Sequence, residues 1–325
     1  MIGILCSPKK EKIITQSLLN LFKTSFKEEC FSIITFSLTN INILEKSIYG
    51  NLISDDVITP LKTELPSLVF NFAVQWTRDD IRKLRSLMEV ENLTLINSAN
   101  MYNQSAIMNM LLSNILTRQN VLLSISFKKE NVISNLSQID NFIFKPENGA
   151  NLSKLIYGKR VDSGYHLYDA EKERYCKLLD IQTEINPAFR TGKWNLLKAP
   201  ELLTDGKELI MFRSHMQKNI KKTWEIILNI KVTQSGTVSN KLDEKTETSL
   251  LRMVTHINCF IPDLVFCHTD YVYSSNETIF FLNFGGWQNV LLNQNQDSSV
   301  KISLCSNIID YTKDYFASEG LEYVG

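Results

Sequence analysis

The sequence predicts an α/β protein in which a βαβ region comes first and antiparallel hairpins follow. Three observations lead there. Short apolar strand patterns alternate with helical patterns over the first ~100 residues, which implies βαβ units and a mostly parallel sheet. Residues 209–240, LIMFRSHMQKNIKKTWEIILNIKVTQSGTVSN, read as two strands around a polar turn, and 266–283 read as a second hairpin. With 44% hydrophobic and 22% charged residues in a chain of 325, there is enough apolar material for two or three well-filled cores.

The elements follow in order. An apolar strand at 2–6 precedes Ser7-Pro8 and a helix whose stripe is Ile13, Ile14, Leu18, Leu21, Phe22 and Phe26. Strands come next at 31–36 and, after Pro66, at 68–72. A helix over 79–89 turns Ile81, Leu84, Leu87 and Met88 inward and leaves Arg78, Arg82, Lys83 and Arg85 on a solvated face; a strand at 93–96 closes this region. No GxGxxG follows the first strand, so the dinucleotide fingerprint is missing. The helix expected at 105–116 carries Ile107, Met108, Met110, Leu111, Leu112 and Ile115, a core stripe. Strands at 121–127 and 141–145 lead to Pro146-Glu147-Asn148-Gly149 and a loop to Lys154. Beyond it the pattern predicts a helix over 168–178, an extended segment over 179–185, and a long loop marked by Pro187, Gly192, Pro200 and Gly206.

In the central hairpin, alternation places Ile210, Phe212 and Met216 toward a core and Arg213, His215 and Gln217 on the opposite side with Leu209 and Met211. In its second strand Trp224, Ile226, Leu228, Ile230 and Val232 are expected on one face, with Glu225, Ile227, Asn229 and Lys231 on the other. Such a hairpin suits a sheet with a core on one side and an anionic ligand on the other, or an ordinary half-solvated sheet. A helix over 244–257 with Leu250, Leu251 and Val254 inward follows. The second hairpin turns at Ser274-Ser275-Asn276-Glu277 and runs into Gly285-Gly286-Trp287, and a helix over 303–316 closes the chain.

Thirty-five basic and thirty-five acidic residues cancel, so no global field points to nucleic acid or an anionic membrane. The apolar runs fall far short of the ~20 residues a membrane helix needs. The N-terminus, MIGILCSPKKEK, has its charges after the apolar run, the reverse of a secretory signal, and the expected location is cytoplasmic. Six dispersed cysteines without a CxxC pair and four dispersed histidines without HxxxH spacing indicate reduced thiols and no zinc site.

The order of several of these segments resembles the ATP-grasp superfamily, and in detail its YheC/YheD-type, endospore coat-associated branch, over about 95–287. The segments are Ile96-Asn97 with the following helix, Phe144-Lys145-Pro146 with Gly149, and Ile181-Gln182-Thr183-Glu184-Ile185. They continue with Phe212-Arg213 through Lys218-Asn219, Trp224, Gly236 to Ser239-Asn240, Asp270, and Phe281-Leu282-Asn283. The resemblance implies an α/β (α+β) fold: an N-terminal βαβ pre-ATP-grasp domain (1–100), a linker helix and nucleotide-side subdomain (101–200), and a C-terminal subdomain with metal and substrate strands (201–325). It implies ATP and Mg²⁺ as cofactors and ligation of a carboxylate to an amine through an acylphosphate. In this chain the implied roles are nucleotide binding by Lys145, Gly149, Gln182, Thr183, Glu184 and Ile185, and Mg²⁺ binding by Asp270 and Asn283. Arg213 would be the catalytic clamp, and Lys218 and Asn240 would contact substrate. The implied partners are a small-molecule or peptide substrate, or a protein, in a homo- or hetero-oligomer, without nucleic acid or membrane.

This chain also departs from the family pattern. Only Gly149 remains of the phosphate-loop glycines, Met211 replaces the acidic residue two before Arg213, and Phe281 stands where a metal-binding glutamate is expected. Gln104 replaces a lysine, and no Gly-Gly occurs in 241–245. Two readings stay open: a ligase with compensating residues such as Glu147, Lys154, Asp263 or Glu277, or a catalytically silent relative that binds a peptide, a protein or a spore-coat component, for example beside an active paralogue. A small-molecule binder that uses no nucleotide is a third.

Overall fold

The computed structural model describes residues 1–25, 32–54, 57–74, 77–125, 132–147, 155–169, 173–189, 194–205, 208–233, 236–286 and 298–318. Three large sheets succeed one another along the chain. In the first, strands Ile2–Cys6, Ile33–Ser37, Leu68–Asn71 and Thr94–Ile96 pair in parallel, as the βαβ pattern predicts. Ile2, Ile4, Leu5, Phe36, Val69 and Phe70 are wholly buried, which is what a parallel strand covered on both faces requires. A long antiparallel hairpin, Ser47–Ser54 with Val57–Glu64, extends this sheet and was not legible in the sequence. Its outer strand contains Pro60, tolerated because an edge strand need not donate every amide.

The helices partly correct the expected stripes. In helix Glu11–Ser25 the buried side is Ile14, Leu18, Leu19 and Leu21, whereas Ile13 is 46% exposed. In helix Arg78–Met88, opened by a reciprocal Thr77–Asp80 capping box, only Leu84 and Leu87 are buried; Ile81 and Met88 face water. Helix Gln104–Leu112 ends one turn earlier than expected. Thr117 Oγ1 donates to the Leu111 carbonyl at 2.6 Å as the chain turns away, leaving Ile115 and Leu116 exposed.

The second sheet runs in the order Glu173–Lys177, Gly164–Tyr168, Ile156–Val161, Asn141–Pro146, Trp194–Ala199, Leu123–Ile125. Here the expectations over 168–185 are reversed. Residues 173–177 form a strand, and Ile181–Phe189 is a helix where an extended segment was predicted. The reason is packing: Tyr165 aligns with Cys176 across the strand pair, and Ile181 and Ile185, four apart, join them in one cluster with Phe142 and Phe144. Trp194–Ala199 also forms a strand inside the expected loop, burying Leu196 and Leu197.

The third sheet is antiparallel, in the order Gly236–Ser239, Trp224–Thr233, Met211–Lys218, Phe266–Tyr273, Ile279–Gly285. Helix Glu244–Asn258, capped by Asp243, packs Leu250, Met253, Val254 and Ile257 into the large cluster that includes Phe212, Met216 and Tyr271; Leu251 is only half-buried. The last helix, Ser298–Ser318, lies against the first sheet and the third together, with Val300, Leu304, Cys305 and Ile308 sharing a cluster with Ile2, Ile4, Phe70 and Phe266.

Hydrogen bonds between neighbouring segments help to join the sheets. The chain leaves the second sheet at Ala199, and by Leu203 its amide donates to the Tyr273 carbonyl of the third at 2.9 Å. Between the first and third sheets, Asn97 uses its whole amide. Its Nδ2 donates to Phe266 O at 2.6 Å, and its Oδ1 accepts from Val265 N and Phe266 N. Asn100 Nδ2 donates to the carbonyls of Asn71 and Ala73, and Gly286 N donates to Asn100 O. A Cβ on Gly286 would lie 1.9 Å from Asn100 Oδ1, so this approach requires glycine.

Candidate functional site

Two β-bulges decide which side chains share the site. A bulge inserts one extra residue, and every residue beyond it changes face. The first lies between Trp224–Thr233 and Met211–Lys218: Met216 aligns with Ile226, but His215 aligns with Leu228. Trp224 and Ile226 therefore pack with Met216 and Phe212, while Leu228, Ile230 and Val232 fall on the side of Arg213 and His215. The single five-residue face expected of this strand is split. The expected division of its neighbour, Phe212 and Met216 against Arg213, His215 and Gln217, is found.

The second bulge is between Phe266–Tyr273 and Ile279–Gly285. Asp270 aligns with Asn283, whereas Tyr271 aligns with Phe281. Asn283 thus shares a face with Asp270, and Phe281, two residues earlier, lies on the opposite face in the apolar cluster, 1% exposed. Leu282 is the extra residue, and its carbonyl accepts a hydrogen bond from Lys145 Nζ.

Lys145 comes from the second sheet. On strand Asn141–Pro146, Phe142 and Phe144 pack behind the sheet with Tyr165 and Trp194, so alternation directs Ile143 and Lys145 toward the third sheet. There Arg213 grips Asp270 in a bidentate pair, Nε to Oδ1 at 2.6 Å and Nη2 to Oδ2 at 2.9 Å, and Asn283 Nδ2 donates to Oδ2 at 3.0 Å. The ring of His268, two residues before Asp270 on the same face, lies 5.9 Å from that of His215, and its Nδ1 is 2.8 Å from the Gly286 carbonyl. Asn283 Oδ1 is buried here without a hydrogen-bond partner among the described residues, as is Nδ2 of Asn195, which aligns with Lys145 across the second sheet.

The electrostatics follow from burial. Lys145 is 3% exposed, and loss of water pushes its ammonium down to about 8, against the pull of Asp270. Burial pushes the Asp270 carboxyl up, but the Arg213 charge and hydrogen bonds, His268 and Asn283 outweigh that and hold it below the ordinary carboxylate range. Burial, then Arg213, lowers His268 to about 4, and burial with His268 and Arg213 lowers His215 as well. Both imidazoles are neutral near pH 7. Arg213, Lys145 and ionised Asp270 then leave one net positive charge in the cluster.

This arrangement brings together Lys145, Arg213, Asp270 and Asn283, four of the residues expected from sequence. It does not bring the others. Gln182, Thr183, Glu184 and Ile185 lie in a helix behind the second sheet, with Ile185 packed on the face away from Lys145 and the amides of Thr183 and Glu184 bonded to Asp180 O. Lys218 sits on the opposite face of its strand from Arg213, its Nζ 5.5 Å from the Trp224 ring centroid and near the Pro262 carbonyl. Asn240 follows the sheet's edge strand and bonds Asn229, which faces Ser214 on that same far side. Gly149 lies outside the described residues. Gln104 replaces charge with structure: its Nε2 donates to Phe284 O and its Oε1 accepts from Phe284 N, pinning the helix to the third sheet. Sequence reasoning missed His268 and Asn195. Strand alternation from Asp270 would have found His268 two residues earlier, whereas Asn195 lies in an expected loop.

The residues do not fit Mg²⁺. Both oxygens of Asp270 are taken by Arg213, position 281 is turned away, and Asn283 Oδ1 remains as one neutral donor where such an ion needs several hard oxygens, at least one of them charged. Among the described residues no group of three or more His, Cys, Asp or Glu could hold a metal ion. To free Asp270 would break a buried ion pair, at a cost of about 3–5 kcal/mol.

No protein-family model and no curated protein matches the sequence. Solved structures do resemble it. A D-alanine–D-alanine ligase from Coxiella burnetii superposes with TM-score 0.57 at 13% identity, covering 98% of this chain and 96% of that one. D-cycloserine synthetase DcsG gives 0.58 at 9% identity, with 96% and 99% covered. The ATP-grasp ligase PsnB, in complex with a minimal precursor, Mg and ADP, gives 0.57 at 11% identity, with 96% and 98% covered. The mixed α/β architecture is therefore that of the ATP-grasp ligases over nearly the whole chain. No helix among the described residues is long and apolar enough to cross a membrane.

Proposed function

We propose that this chain is an ATP-grasp ligase-like protein that binds the phosphates of ATP between its second and third sheets and activates a carboxylate as an acylphosphate for an amine. The observation that carries the reading is the meeting of Lys145 from one sheet with Arg213 from the other, beside the unpartnered amide of Asn195. In the first step a carboxylate oxygen attacks the γ-phosphorus and ADP leaves. In the second the amine nitrogen attacks the acyl carbon and phosphate leaves. Both steps move negative charge onto phosphoryl oxygens, and fixed cations in a water-poor cleft stabilise such charge without reorganising. Lys145 would hold the nucleotide's phosphates and Arg213 the transferred phosphoryl group. The three sheets support reading 1–100, 101–200 and 201–325 as pre-ATP-grasp, nucleotide-side and C-terminal units. A peptide or amino-acid-like substrate accords with the names of the structural neighbours, D-alanine–D-alanine ligase and PsnB with a precursor peptide PsnA2. Kinship with the YheC/YheD-type branch, a spore-coat setting and an oligomeric state follow from the sequence resemblance, and a cytoplasmic location from the order of charged and apolar residues at the N-terminus.

One observation favours the second reading, a catalytically silent relative that binds a peptide or protein partner. Asp270 is committed to Arg213, and the residue in the metal-glutamate position faces the core. Calorimetric titration of ATP into the wild type and Lys145→Ala, followed by assay of ADP release with candidate acids and amines, separates them. Micromolar binding lost in the variant, with ADP released only when acid and amine are both present, supports ligation. Undetectable binding at millimolar ATP overturns the nucleotide reading, and binding without turnover leaves the silent relative.

A further inference from the structure

We propose that this cleft binds nucleotide phosphates without a protein-held divalent cation, the Arg213 guanidinium anchored on Asp270 supplying the positive charge at that place. The inference rests on the nucleotide reading above and goes beyond it by naming what neutralises the phosphates. Four features of the cluster point the same way. Arg213 engages Asp270 through Nε and Nη2, which fixes the plane of the guanidinium and leaves Nη1 for another acceptor, and the side chain retains 19% exposure. Lys145 brings a second cation from the facing sheet, and its single bond in the site goes to a main-chain carbonyl rather than a carboxylate. Asn195 Nδ2 is a buried donor with nothing to bond among the described residues, suited to an anionic oxygen. The bulge at Leu282 removes position 281 from the face that Asn283 and Asp270 share, and among the described residues no group of three or more His, Cys, Asp or Glu could hold a metal ion there. Two cations against one carboxylate give an excess of one positive charge. A bound divalent ion would otherwise supply cationic charge at such a place. Asn283 Oδ1, whose amide nitrogen is fixed on Asp270, is left to accept a hydroxyl or amine of the ligand.

The test is calorimetric titration of ADP into the full-length protein, once in EDTA and once in excess MgCl₂. The expected result is a Kd in EDTA equal to, or within about threefold of, that in Mg²⁺. Binding that is tenfold or more tighter in Mg²⁺ overturns this inference while the nucleotide reading stands. No binding in either buffer overturns both. A second arm uses Asp270→Asn, checked for native circular dichroism and titrated in MgCl₂ and in EDTA. If Asp270 anchors Arg213, its neutralisation raises the positive charge facing the phosphates, and ADP binds several-fold tighter than to wild type. If Asp270 holds a metal ion, the same substitution weakens binding in MgCl₂ but not in EDTA, and the inference is refuted. Should the variant not fold, the wild-type pair of titrations decides alone.

Discussion

The glutamate that the family resemblance implies at position 281 cannot be restored by writing it back. Phe281 aligns with Tyr271, not Asp270, and its ring is 1% exposed in the cluster with Met253, Val254 and Leu282. Phe281→Glu would remove a buried aromatic, a change that costs about 3–5 kcal/mol in cores. It would also set a carboxyl among apolar neighbours, where pKa rises by roughly 3–5 units. The folded variant then holds a proton that the unfolded chain, with an ordinary glutamate pKa of about 4.3, has lost at neutral pH, at a further cost of about 4 kcal/mol at pH 7. Together these come to roughly 7–9 kcal/mol, comparable with the whole stability of many domains. The sign of the pH dependence is fixed. The folded state binds the extra proton, so the deficit relative to wild type should shrink as pH falls from 7 toward 4.3, by about 1.4 kcal/mol per unit. Urea unfolding of both proteins between pH 7 and pH 4.5, with and without MgCl₂, measures this. A Phe281→Glu protein as stable as wild type at pH 7 and further stabilised by Mg²⁺ would show that residue 281 does face the site, and the bulge argument would fail.

Other consequences are equally open to measurement. Because burial lowers Lys145 to about 8, ATP affinity should fall as pH rises through that value, and Lys145→Met should bind weakly with a flat profile between pH 7 and 9. The unfolded lysine keeps its proton to higher pH, so Lys145 titration alone makes the wild type gain stability between about pH 8 and 10.5, a gain that Lys145→Met lacks in urea titrations. Asn97→Ala strips three hydrogen bonds from the joint between the first and third sheets, those with the Val265 amide and with the Phe266 amide and carbonyl. A loss of roughly 2–4 kcal/mol by urea denaturation is expected. Gly286→Ala drives a methyl into Asn100, including its Cα at 2.7 Å, and should lower the melting temperature by several degrees in a differential scan.

Much of the fold was legible because its signals are local. Parallel strands such as 68–71 read as short apolar runs, and the alternation of 211–218 separates Phe212 and Met216 from Arg213 and His215. Asp270, Asn283 and Lys145 were expected through the resemblance of their segments to the ATP-grasp pattern, and the structure brings them together. What escaped is set by tertiary packing. The pattern over 168–178 predicts a helix although Cys176 pairs across to Tyr165, and 179–185 reads as an extended segment although Ile181 and Ile185 have helical spacing. The bulges were illegible for a deeper reason. An inserted residue leaves the letters of a strand unchanged while reversing the face of those beyond it, and the sequence reading that grouped Trp224 with Leu228 had no means to detect it.

The last helix has a consequence for how the molecule is made. Its Asn307 and Tyr311 bond the carbonyls of Lys218 and Asn219, Tyr315 OH reaches Ser67 O, and its apolar side completes the cluster that begins at Ile2. Contacts between Ser67 and Tyr315 span 248 residues, a separation that slows folding because a long loop must close before it is rewarded. During synthesis the first sheet emerges long before its cover, and Ile2, Ile4, Ile33 and Phe70 would meet water or a chaperone in the interval. A nascent chain stalled before residue 298 should therefore bind hydrophobic dyes and resist refolding, even though every strand of its three sheets has already been made.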